Sequence, residues 1–155
     1  MSALAALSLC LVVAITDGDT LKARCGPPGA YEQATVRLSA IDAPERGQPY
    51  GNRAREALSA LCFQTEAVIT PRSRDRWGRA VADVQCRGQD AGEHLVRHGL
   101  AWVFDRYARG YESLYGVQDE ARTARRGLWQ ASGTATPPVA PWDWRRTGSN
   151  TWSVQ

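Results

Sequence analysis

The chain is short of lysine. Of its 19 basic residues only Lys22 is a lysine, and the rest are arginines. Methionine occurs once, phenylalanine twice and histidine twice. The lack of histidine, with no C-x-x-C pair among the four cysteines, argues against a zinc ribbon or a thioredoxin-like redox site. His94 and His98 have the four-residue spacing of zinc proteases, but the run is "HLVRH", without the glutamate that chemistry needs. They read as ordinary helix residues. Long apolar runs are also missing. The opening "MSALAALSLCLVVAI" is too short to span a membrane and has no positive flank, so residues 1–9 are expected to be a residual secretion signal or an extension.

What remains fits one folded unit. A length of 155 residues suits a single domain with one core. The net charge is only +3, yet it rests on arginine, whose planar fork matches phosphate better than a lysine point charge does. Cys10, Cys25, Cys62 and Cys86 are even in number and widely spaced, which suits two disulfides and an oxidising compartment. Cys10 and Cys25 flank the Asp17–Gly18 turn at similar distances, so a hairpin would join them and leave Cys62 for Cys86. Four buried thiols in a reducing compartment is the alternative.

The patterning is mixed. "CLVVAITDGDTLKARC" reads as strand, Asp-Gly turn and strand. "ATVRLSAI" alternates Val36, Leu38 and Ala40 against Arg37 and Ser39, a half-buried strand. "YGNRAREALSALC" puts Ala54, Leu58 and Leu61 at helical spacing. "EAVITPRS" and "DRWGRAVADVQC" give two more strands, the second with Val81 and Val84 inward. "DAGEHLVRHGLAWV" is a helix with Asp90 as N-cap, Glu93 three residues on and Gly99 as its stop. "YESLYGVQDEARTARRGLW" is another, with Leu114, Val117 and Ala121 on one face. The order of elements matches an α+β fold: a five-stranded OB-fold Greek-key β-barrel with three α-helices. The expected domain runs over 10–130. Residues 131–155, rich in Pro, Gly, Ser and Thr, read as an extended tail, with Trp142 and Trp144 docked on the barrel.

The chemistry concentrates in "TVRLSAIDAPERG" and "TDGDT". Asp-Gly and Asp-Ala-Pro are each ordinary turn sequences. Together they place Asp19 and Asp42 at the ends of strands that can be neighbours. Paired carboxylates repel unless a proton or a cation intervenes, and oxygen donors without Cys or His suit Ca²⁺ or Mg²⁺. "DRWGR" sets Trp77 beside Arg76 and Arg79, a means of stacking a base while holding its phosphate. Arg37 and Asp42 have opposite parity, so a straight strand would send them to opposite faces. The strand must bulge or end before Asp42.

In this order and spacing, "VVAITDGDTLKA", "VRLSAIDAPE", "DRWGRAVADV" and "HGLAWV" resemble the staphylococcal nuclease (thermonuclease) family, over about Leu11 to Trp129. The resemblance implies an OB-fold barrel and a Ca²⁺-dependent phosphodiesterase, endo- or exonucleolytic, acting on DNA and RNA. It implies Asp19, Asp42 and the Ala43 carbonyl as metal ligands, Arg37, Glu45 and Arg79 as catalytic residues, and Trp77 and Tyr107, with Arg76, on the substrate side. It departs from the family pattern at Ala43, where the best-known member has threonine, and at Asp105, where a second tyrosine is expected. The loop after Glu45 is also shorter. A secreted or periplasmic monomer is expected. The alternative is an OB-fold nucleic-acid-binding module without catalysis.

Overall fold

A computed structural model describes residues 7–151, with side chains through residue 147. Residues 1–6 of the expected signal segment lie outside the described residues. Five strands close a barrel: β1 (Ser8–Asp17), β2 (Thr20–Cys25), β3 (Glu32–Leu38), β5 (Glu66–Arg74) and β6 (Ala80–Cys86). Their sheet order is β3-β2-β1-β5-β6, and a parallel pairing of Val36 with Ala80 joins β3 to β6 and completes the ring. Three two-residue strands supplement it: β4 (Ile41–Asp42), β7 (Gln89–Asp90) and β8 (Trp102–Val103). Helices α1 (Gly51–Cys62), α2 (Ala91–Arg97) and α3 (Ser113–Thr123) follow as the patterning predicts. Asp90 caps α2 by accepting from the Glu93 amide at 2.8 Å.

Among the described residues there are four α-helices, not three. The tail read as extended contains α4 (Pro141–Thr151). Its proline stands at the first helical position, where a missing N–H costs nothing, and Asp143 follows in the first turn, where a negative charge is favoured. Trp142 anchors the helix: its ring stacks on Phe104 at 5.3 Å and meets the Trp102 edge at 5.7 Å.

The barrel interior is filled by Val12, Leu21, Val36 and Val84 and capped by Leu58 of α1 and Leu95 of α2, all fully buried. Each such aliphatic side chain contributes about 1.5–3 kcal/mol relative to exposure. Two inward assignments shift. On β6 the buried residues are Ala82, Val84 and Cys86, with Val81 half-buried, and on α3 Gln118 is buried while Val117 is half-buried. Gln118 is there for its amide, which accepts from the Val103 N–H at 2.8 Å and fastens β8. Disulfides link Cys10 to Cys25 across the β1–β2 hairpin and Cys62, at the end of α1, to Cys86 on β6. Loops of this size give each bridge about 3 kcal/mol in the chain-entropy account.

Candidate active site

The β1–β2 turn is a two-residue connection, Gly18–Asp19, since Asp17 pairs with Thr20. A Cβ on Gly18 would lie 2.6 Å from the Ala54 Cβ, so the glycine is what lets the turn sit against α1. Asp19 is thereby pressed to the Asp42 segment. Its Oδ2 accepts from the Ala43 N–H at 2.9 Å and its Oδ1 from the Thr20 hydroxyl at 3.0 Å.

The parity problem of Arg37 and Asp42 is solved by the backbone. Strand β3 stops at Leu38, and Ala40 takes a left-handed conformation at φ 64° before β4 resumes at Ile41. Arg37 and Asp42 then share one side. The Arg37 Nη1 donates to the carbonyls of Leu38 at 3.2 Å and Ile41 at 3.0 Å. The same guanidinium lies 3.5 Å from Asp19 Oδ2 and 3.4 Å from Asp42 Oδ1. Asp42 itself has no exposed surface. Burial pushes its carboxyl above the usual range and Asp19 adds to this, while Arg145 and Arg37 pull it part of the way back.

Glu45 projects from the loop between β4 and α1. Its backbone N–H donates to Gln48 Oε1 at 2.9 Å, and its carbonyl accepts from the Gln48 N–H. The buried Gln48 side chain in turn donates to the Val139 carbonyl at 2.6 Å. The Glu45 carboxylate, about one-third exposed, meets Arg145 of α4.

Arg79 sits apart from this group. Its Nε donates to Asp75 Oδ2 at 2.6 Å, and Asp75 Oδ1 also accepts from the backbone N–H groups of Trp77 and Arg79. Burial would raise the Asp75 carboxyl, but the hydrogen bonds to Arg79 and Trp77 bring it below its ordinary value. The Arg76 guanidinium lies 4.3 Å over the Trp77 ring and that of Arg79 5.3 Å over it. Trp77, Arg79 and Arg74 line a groove of about 380 Å³ that runs along the edge of β3. Tyr107 does not line that groove; it is exposed on the short turn Asp105–Tyr107 and edge-on to Phe104 at 5.1 Å. Asp105 accepts from the Tyr115 hydroxyl. His94 and His98 face each other on α2 at 4.4 Å, with His94 beside Gln89.

The fold thus brings Asp19, Arg37, Asp42, Ala43 and Glu45 together and leaves Trp77 and Arg79 on a separate groove, with Arg76 against the Trp77 ring. Three participants escaped the sequence reading. Asp75 holds the Arg79 side chain, and Gln48 the backbone that carries Glu45. Arg145 stands among the carboxylates, about a hundred residues further along the chain. The run "APWDW" could have signalled a helix start there, but nothing local points to its destination.

The model of the family described as "Staphylococcal nuclease homologue" matches residues 35–131, which include four of those five clustered residues and the whole groove turn. The chain belongs to the staphylococcal nuclease family. A micrococcal nuclease of Shigella flexneri is 35% identical over 90% of this chain and 81% of its own length. An uncharacterized endonuclease of Haemophilus influenzae is 34% identical over 88% of the chain and 72% of its own. The probable staphylococcal-like nuclease CAN1 of Oryza sativa is 37% identical over 74% of the chain, which spans only 33% of that longer protein.

The staphylococcal nuclease family's Ca²⁺ can be tested against these residues by donor chemistry. Among the described residues, no three His, Cys, Asp or Glu side chains form a ready metal cage. The donors at hand are two carboxylates, Asp19 and Asp42, and the Ala43 carbonyl. All are oxygens, and the buried Asp42 needs a nearby positive charge. That set fits a hard cation that keeps much of its water, and does not fit zinc or copper.

Proposed function

We propose that this chain is a Ca²⁺-dependent nuclease that hydrolyses phosphodiester bonds of DNA and RNA. That it is a nuclease, and so a phosphodiesterase hydrolase, follows from its family and from relatives bearing nuclease names. The finer reading is carried by one observation: Arg37 and Glu45 are gathered around the Asp19–Asp42 pair.

Asp19, Asp42 and the Ala43 carbonyl would hold the cation. Bound there, Ca²⁺ would supply Lewis acidity to a phosphoryl oxygen. Arg37, fixed through Nη1 by two backbone carbonyls, offers its remaining N–H groups to the phosphate and stabilises the charge that grows on its equatorial oxygens. Glu45 orients the attacking water and takes its proton, and Gln48 fixes the loop that carries it. Arg79, aimed by Asp75, serves the phosphate from the groove side and assists the leaving 5′-oxygen. Trp77 and Arg76 offer a stacking face to a base there, and the exposed Tyr107 ring offers another.

Two disulfides support a secreted or periplasmic setting. No helix of the described residues is long and apolar enough to cross a membrane. We take the chain to act as a monomer on nucleic acid.

The test is cleavage of single-stranded DNA with Ca²⁺ or with EGTA, for wild type and Glu45→Gln side by side. Loss of a positioned general base costs about 10²–10⁴ in rate, so Glu45→Gln should fall by at least hundreds. DNA binding without cleavage, unchanged by EGTA, would instead identify a binding module.

A further inference from the structure

Arg145 is placed where a side chain remote in sequence would not come by chance. Its Nη2 donates to Asp42 Oδ2 at 2.7 Å, and its Nη1 reaches Asp42 Oδ1 at 3.2 Å and Glu45 Oε1 at 2.5 Å. One guanidinium therefore covers both oxygens of Asp42 and bridges them to Glu45. These are a carboxylate assigned above to the cation and the carboxylate assigned to water. The fork is spent on them: a guanidinium in this position is turned to the acids, not out to a phosphate.

The approach of α4 is built, too. Trp142 is sandwiched against Phe104 and Trp102, Pro141 and Ala140 are buried, and the Val139 carbonyl takes the Gln48 amide. Gln48 also receives the Glu45 N–H, so the residue that fixes the Glu45 loop fixes the strap. Residues 133–137, which lead into this segment, are exposed. The segment is gripped at its end and led in by exposed chain.

We infer that the segment Val139–Arg145 is an autoinhibitory strap, whose Arg145 occupies the carboxylate oxygens that Ca²⁺ must take. The inference rests on the metal site proposed above. The two occupants exclude each other. A divalent ion needs the same oxygen lone pairs at about 2.3–2.6 Å and would meet a guanidinium charge beside it. Cation binding must therefore displace Arg145, and apparent affinity is lowered by the fraction of time the strap is closed. Arg37 plays a different part, since its Nη1 is anchored on carbonyls and it approaches Asp42 only at 3.4 Å.

The experiment is calorimetric titration of the full chain with Ca²⁺, without nucleic acid, for wild type, Arg145→Ala, Trp142→Ala and Asp42→Asn. Hydrogen exchange of residues 141–147 is followed in EGTA and in Ca²⁺. Arg145→Ala should bind Ca²⁺ about tenfold more tightly, the factor for a strap closed ~90% of the time. Trp142→Ala, which loosens the anchor and leaves every carboxylate in place, should gain similarly. Ca²⁺ should strip protection from 141–147 in the wild type. Equal affinity in wild type and both strap variants, with binding abolished by Asp42→Asn, overturns the strap and leaves the metal site standing. Absence of Ca²⁺ binding from every variant, or binding untouched by Asp42→Asn, overturns both. Unchanged affinity with weaker cleavage by Arg145→Ala at saturating Ca²⁺ also overturns the strap, and makes Arg145 a phosphate-binding residue.

Discussion

Asp83 illustrates how single carboxylates in this chain are tied into the barrel. It accepts from the Tyr111 hydroxyl at 2.6 Å and pairs with Arg72 at 2.7 Å. Burial alone would raise its carboxyl, yet the hydrogen bonds from Tyr111 and Arg72 prevail and hold it below the ordinary value. A depressed carboxylate stabilises the fold above its unfolded pKa of about 3.9 and loses that contribution as pH falls through the folded value. Asp83→Asn should accordingly melt below wild type at neutral pH, and the two curves should converge under acid. Melting temperatures of both proteins across pH 2–7 check this, and a constant gap would contradict it. Residue-level chemistry was the most readable part of the sequence. Asp19, Arg37, Asp42 and Glu45 are close in sequence to turns and strand ends, where position dictates neighbours. Reading Arg37 and Asp42 together required a break between them, and Ala40 supplies it. Asp75 and Gln48 were not legible, because a side chain that holds another is indistinguishable in sequence from any polar loop residue.

At the scale of elements, the start of α1 governs the Glu45 loop. A Cβ on Gly51 would lie 2.1 Å from the Glu45 carbonyl oxygen, closer than any side chain tolerates. Tyr50, just before it, is left-handed at φ 70° and cannot readily yield. Gly51→Ala must therefore shift the Glu45 backbone. A displacement of about 1 Å at a catalytic group costs on the order of 10²-fold, so cleavage should fall by that much. Gly116 in α3 is the counterpart: nothing lies within 4 Å of its would-be Cβ. Gly116→Ala should stabilise by about 0.5–1 kcal/mol and leave turnover unchanged. Rate and melting temperature of both variants separate the two cases, and a fully active Gly51→Ala would refute the control of the Glu45 loop by the start of α1. The helices were legible because Ala54, Leu58 and Leu61 repeat at helical spacing. The faces were less so. Gln118 replaces Val117 in the interior because β8 needs an acceptor for the Val103 N–H, a demand that hydropathy does not encode.

At the scale of the whole molecule, the tail returns to the barrel and brings a charge to the candidate site. That contact spans about a hundred residues. A Pro- and Gly-rich lead-in hid it, for local composition reports slack chain but not where the chain lands. The consequence for stability depends on the cation. Removing Arg145 strips the buried Asp42 of its nearest partner. A fully buried pair broken this way costs about 3–5 kcal/mol. Arg145 is 43% exposed and Arg37 remains nearby, so solvent and the second arginine should reduce the loss to about 1 kcal/mol. In EGTA, Arg145→Ala should melt a few degrees below wild type. With Ca²⁺ the gap should narrow, because a ligand that binds only the folded state stabilises by RT ln(1 + [L]/Kd). A tenfold gain in affinity adds about 1.4 kcal/mol at saturating Ca²⁺, enough to offset the lost ion pair. Melting curves of the two proteins, followed from EGTA through rising Ca²⁺, should therefore converge as the ion displaces Arg145. Curves that stay parallel at every Ca²⁺ concentration would mean that Arg145 supports the fold without contesting the metal site.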